Sequence, residues 1–183
     1  MRISLFSYIM NIMKNTKTKK ISLYGMLLAL SMVLSYVEAM IPVNLGVPGV
    51  KLGLPNIVTV IGLFSIGPVP TMVISILRIL LVSFMFGNTM TLAYSFAGFA
   101  LSFLSMLLLK KVGGFSGNVI SILGGVMHNV GQLLAAIVLL HTRQLALYFP
   151  VLLIAGVIAG AVIGLIAGLI SKRIQLYLRT IST

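Results

Sequence analysis

The chain has 183 residues, 60% of them hydrophobic and 8% charged, with mean hydropathy +1.19 and net charge +12. A soluble domain carries about 25% charged residues, so too little polar side chain is present to cover a water-facing surface, and an integral membrane protein is expected. The absence of cysteine excludes a disulfide scaffold, a thiol nucleophile and a thiolate metal site.

The positive charges do not suggest nucleic acid. "KNTKTKK" (14–20), "KK" (110–111) and "SKR" (171–173) each flank an apolar run, which is the positive-inside pattern of a membrane protein. Residues 1–20 form a basic segment on the cytoplasmic side. "MRISLFSYIMNIM" is too short to span and lacks a small-residue cleavage site, so it is not read as a signal peptide. Met13, directly before the basic cluster, is an alternative start to Met1.

Residues 21–172 are expected to form an all-α bundle of six transmembrane helices, at about 21–41, 53–67, 69–87, 91–109, 117–140 and 149–171. In the first, Ser22, Gly25 and Ala29 make a small-residue face suited to docking another membrane subunit. Glu38, the chain's single acid, falls one turn from its outer end. Next comes "NLGVPGVKLGLPN", with Asn44, Lys51 and Asn56. It reads as a connecting turn or as a structured outer loop folded into the mouth of a pocket, because irregular backbone at membrane depth needs protein or a wet cavity around it. Asn56 opens the second helix as a cap or as a polar finger into the cavity. Pro68 and Pro70 in "SIGPVP" break the chain before the third.

Arg78, midway along the third helix, cannot shed its charge. A counter-charge from Glu38, carbonyl caps or an anionic ligand would satisfy it. In the fifth helix "HNVGQ" sets His128 and Gln132 four residues apart on one face, with Asn129 about 100° round. Three hydrogen-bonding side chains in one turn in hydrocarbon suggest a binding site, although a lone histidine also serves as a satisfied core group. No carboxylate cluster accompanies it, so metal ligation is not expected. If Lys51 and Arg78 converge on Glu38, one positive charge is left over and an anion is preferred. The sixth helix repeats Gly156, Gly160, Gly164 and Gly168 every four residues, a flat stripe for close helix packing, internal or against a partner. Residues 173–183 follow as a cytoplasmic tail. An even number of spans, N-in and C-in, puts most basic residues inside and only Lys51 and Arg143 outside.

There is no P-loop, so ATP hydrolysis is not expected. One glutamate and no aspartate exclude a two-carboxylate mechanism within the chain and a Ser–His–Asp triad, and leave little to hold magnesium. Binding or transport is therefore expected over catalysis, with no cofactor in this chain. His128 and His141 do not make a convincing haem pair.

"PGVKLGLPNIVTVIGLF", "RILLVSFMFGN", "YSFAGFALSFLSM", "GGVMHNVGQLLAA" and "YFPVLLIAGVIAGAVIGLIAG" resemble the Gx transporter family, also labelled heptaprenyl diphosphate synthase component I, over residues 20–172. That family is similar to the substrate-binding S components of energy-coupling-factor importers. The likeness implies a multi-pass protein of the bacterial cytoplasmic membrane that binds a small molecule near its outer face. It further implies docking onto a transmembrane coupling subunit with cytoplasmic ATPases. Gly25 and Ala29 fall at the place of the importers' alanine-rich docking motif, with Gly25 replacing an alanine. The ligand would be small, anionic or isoprenoid- or quinone-related, contacted by Glu38, Asn44, Lys51, Asn56, Arg78, His128, Asn129 and Gln132. The resemblance also leaves open a membrane partner of a flavin-bearing electron-transfer protein and a non-catalytic accessory of prenyl diphosphate synthesis.

Overall fold

The computed structural model describes residues 16–41 and 53–182. Asn44 and Lys51, both expected at the site, lie outside the described residues. Six α-helices follow in order: α1 (Thr16–Met40), α2 (Asn56–Ser65), α3 (Pro68–Phe86), α4 (Thr89–Val112), α5 (Gly117–Leu140) and α6 (Phe149–Ser182). A 3₁₀ turn, Arg143–Tyr148, joins the last two. No strand occurs among the described residues.

Five of these helices are long and apolar enough to cross a membrane. The second expected span, 53–67, is different. Its helix has 10 residues, and at 1.5 Å per residue it covers about 15 Å, half of a hydrocarbon core about 30 Å thick. Local chemistry sets both limits. Gly53 has φ +85° and Gly67 has φ +94°, backbone states that glycine adopts without steric cost. Pro55 precedes α2, and Pro68 opens α3, where a missing N–H costs nothing. Asn88 caps α4 by accepting from the Thr91 N–H at 2.8 Å, and Ser116 caps α5 by accepting from Val119 at 3.3 Å. At the far end α6 runs without a break through the expected tail to Ser182.

The basic residues gather at one end. Lys19 of α1 and Arg173 of α6 line one cleft there. Lys110 ends α4, and Lys172 lies beside the start of α5. Arg143 sits beyond the other end of α5.

Helix α2 is the most enclosed, with seven residues from Asn56 to Leu63 buried. It packs on α6, α3 and α1. Leu27, Ile61, Leu63, Ile79, Phe103 and Met106 belong to the large core at its flanks. A smaller core at the Arg143 end joins Tyr94, Leu133, Ala136, Leu145 and Leu152. Helix α5 is wedged between α4 and α6, and glycine makes this possible. A Cβ on Gly131 would stand 2.5 Å from the Ala97 carbonyl oxygen, and one on Gly160 would stand 2.7 Å from the Ile122 Cα. Gly156 and Gly164 also press against α5, whereas nothing lies within 4 Å of a Cβ on Gly168. Three members of the α6 stripe therefore pack inside the chain and the fourth does not. The outer surface is apolar, with Phe84 92% and Leu147 80% exposed, as lipid contact requires.

Candidate functional site

Five helices bring polar side chains to one small cavity. Its lining includes Ser35 and Glu38 of α1, Gly53, Pro55 and Asn56 at the start of α2, Arg78 and Val82 of α3, Ser95 of α4, and His128 and Gln132 of α5. The cavity volume is about 10 Å³, close to what one water requires. In α4, Ser95 directly follows Tyr94 of the small core and precedes Phe99 of the large one.

Glu38 does more than balance charge. Its Oε1 accepts from the Gly53 N–H at 2.5 Å and from the Leu54 N–H at 3.0 Å. Fifteen residues separate Glu38 from Gly53 in sequence, so the carboxylate pins the returning chain just before α2 begins. A negative group there also suits the positive end of the helix dipole. Arg78, buried beside it, feels the carboxylate's charge. The expected convergence of Glu38 and Arg78 is therefore present, and their formal charges cancel. Lys51, which would have left a positive excess, is outside the described residues.

His128 is clamped between two glycines. A Cβ on Gly53 would stand 3.0 Å from its Cδ2, and one on Gly98 would stand 2.9 Å from its Cε1 and Nδ1. Its Nε2 lies 2.8 Å from the Gln132 Nε2. With the Gln132 amide donating, Nε2 accepts and the ring proton sits on Nδ1. Nδ1 faces the backbone of Gly98 without a well-formed hydrogen bond. Arg78 also acts on this ring electrostatically, so α3 and α5 meet at one polar centre.

One expected residue, Asn129, looks elsewhere. Asn129 donates to the Leu152 carbonyl of α6 at 2.7 Å and does not line the cavity. The 100° offset from His128 turns it to the α5–α6 seam. Asn56 lines the cavity and donates to Ser102 Oγ of α4 at 3.2 Å. It does not cap α2 through its side chain, since the N-cap position is Pro55. Ser35, Val82 and Ser95 were not expected at the site, whereas Gly53 and Pro55 belong to the loop expected at its mouth. Ser35 shares a helix face with Glu38, three residues on, which is a readable signal. Ser95 gave none, because a lone serine in an apolar helix is common. The proposed docking face of Ser22, Gly25 and Ala29 is exposed, with nothing within 4 Å of a Cβ on Gly25.

The other end of α2 is held as well. Lys110 of α4 donates to the Leu63 carbonyl at 2.5 Å and lies 5.0 Å from the centre of the Phe64 ring. Gln175 of α6 donates to the Phe64 carbonyl at 2.8 Å. These bonds satisfy terminal carbonyls that a helix cannot satisfy itself.

No curated protein and no solved structure matches the chain. Residues 27–170, most of its length including every cavity-lining residue, match one family, so this chain belongs to the family described as heptaprenyl diphosphate synthase component I.

Proposed function

We propose that the chain is a non-catalytic, substrate-binding membrane subunit of a modular small-molecule importer. The observation that carries this reading is the convergence of Glu38, Arg78, His128 and Gln132 on one enclosed cavity. Ionisable groups within membrane helices are costly and face a partner or a cavity, and here three of them share one. Arg78 offers donors to an anionic or polar group, and Glu38 offers an acceptor. At about 10 Å³ the cavity holds a water and not a solute. Entry of a ligand therefore requires the Gly53–Pro55 wall to withdraw, and the Glu38 bonds to Gly53 and Leu54 act as the latch. Power must come from elsewhere, since the chain has no P-loop. A coupling subunit with ATPases would supply it. On the positive-inside rule the basic end is cytoplasmic and the cavity lies toward the outer side, N-in and C-in.

The test is to purify the full chain in mild detergent and identify co-purifying small molecules by mass spectrometry. One solute per chain, lost in Arg78→Gln, is the expected result. Repeated wild-type preparations with no solute would overturn the reading.

Family membership favours a second reading, an accessory to a separate prenyl diphosphate synthase component. Elongation of prenyl chains needs magnesium held by carboxylates, and a chain with one glutamate would act only as a membrane partner. Co-expression with a soluble prenyl synthase should then change product length or yield. Recovery of a flavin-bearing redox protein in a pull-down would instead favour the electron-transfer partner.

A further inference from the structure

A second site lies at the basic end, away from the Glu38 cavity. Between α2, the start of α5 and α6 runs a groove of about 530 Å³. Its floor is Gly168, where a Cβ would meet nothing within 4 Å. Phe64 forms one wall, and Leu165 and Leu169, 60% and 71% exposed, form its apolar rim. On a membrane protein such a rim opens sideways to lipid.

The head of the groove is polar and positive. Lys172 lines it, as do Gly117 and Asn118 in the first turn of α5. Ser116 takes the Val119 N–H of that turn, the N–H groups of Gly117 and Asn118 have no intrahelical acceptor, and the helix dipole adds positive potential. The N-terminus of a long helix beside a lysine is an anion site in chemistry. A separate observation points to an occupant. Ser171 lines the same groove, is 6% exposed, and its hydroxyl is buried with no hydrogen-bond partner. A buried hydroxyl without a partner costs free energy, and an acceptor oxygen in the groove would relieve it. No acid opposes an anion here, because Glu38 is engaged before the start of α2, at the far end of that helix from Phe64.

We propose that this groove binds a phosphate-headed anionic lipid of the surrounding bilayer. The phosphate sits between Lys172, Ser171 and the first turn of α5, and one acyl chain lies along Gly168 past Leu165. The sideways opening and the charge complementarity select this occupant. Lys172 contributes as a point charge and Ser171 as a hydroxyl donor.

The test uses the full chain in nanodiscs of equal phosphatidylcholine and phosphatidylglycerol, with native mass spectrometry counting retained lipid. Phosphatidylglycerol should be enriched. Lys172→Gln, which removes one charge-assisted contact, should lower its retention about tenfold. Gly168→Leu, which extends a side chain into the groove from a position where a Cβ has open space, should do the same. Arg173→Gln serves as the control, since Arg173 lines the α1–α6 cleft and not this groove, and it should change nothing. Equal effects of Lys172→Gln and Arg173→Gln would reduce the site to general surface charge and overturn it. So would equal retention of the two lipids. Retention of added farnesyl diphosphate in place of phosphatidylglycerol would overturn the assignment to a bilayer lipid. Unfolding midpoints verify that each variant is folded, and if Gly168→Leu is not, the Lys172→Gln and Arg173→Gln pair decides.

Discussion

Glu38 of α1 and Lys110 of α4 hold opposite ends of the same ten-residue helix. The acid takes the Gly53 and Leu54 N–H groups before α2 starts, and the lysine donates to the Leu63 carbonyl as it ends. Each charge has the sign the helix dipole favours. A helix this short is marginal by itself, so side chains from its neighbours define it. The same carboxylate lines the cavity, which links the integrity of α2 to the candidate site.

Substitution of Glu38 should therefore damage both. Glu38→Ala leaves two backbone donors without their acceptor and Arg78 without its counter-charge, a loss on the order of 3 kcal/mol. Glu38→Gln keeps an acceptor and should fall between. Thermal unfolding in detergent should rank wild type above Glu38→Gln above Glu38→Ala. Equal midpoints would remove the latch.

Lys110 and Lys111 are neighbours in sequence with different duties. Lys110→Ala should cost about 1 kcal/mol through the lost bond to Leu63 and the contact with Phe64. Lys111→Ala, on the exposed side, should be close to neutral. The same unfolding assay compares them.

The α6 stripe should divide under alanine scanning. Gly160→Ala puts a methyl 2.7 Å from the Ile122 Cα, backbone that cannot yield cheaply, and should lower the unfolding midpoint. Gly168→Ala meets nothing within 4 Å and should be neutral or raise it, because alanine is the better helix former by about 1 kcal/mol. Equal losses at both positions would contradict the packing described for α5 and α6.

His128 and Gln132 should behave as one unit. Either alanine variant breaks the 2.8 Å contact, so the double variant should cost less than the sum of the singles by about 0.5–3 kcal/mol. Chemical or thermal unfolding of all four proteins completes the cycle. Strict additivity would mean that the pair does not matter.

The absence of cysteine makes orientation directly testable. Single cysteines at Lys111 and Arg179 should react with an impermeant thiol reagent only from the cytoplasmic side, and one at Arg143 only from outside. Labelling of Lys111→Cys and Arg143→Cys from the same side would overturn the N-in, C-in arrangement.

Composition by itself determined that this chain is a helical membrane protein. Long apolar runs separated by glycine, proline and lysine allow no other economical burial of backbone, so five of the six expected spans appear as long helices. The polar residues were also legible, because Glu38, Arg78, His128 and Gln132 stand out in apolar surroundings and each needs a partner. Which partner each one finds was decided only by tertiary structure. Periodicity told that Asn129 turns away from His128, but only the seating of α6 gave it the Leu152 carbonyl. The second run, 53–67, was already short in the sequence, but what holds the ends of α2 was not legible there, because Glu38, Lys110 and Gln175 are residues distant in sequence. Helix propensity is local, whereas the satisfaction of a helix's terminal groups inside a membrane depends on what the rest of the chain brings alongside.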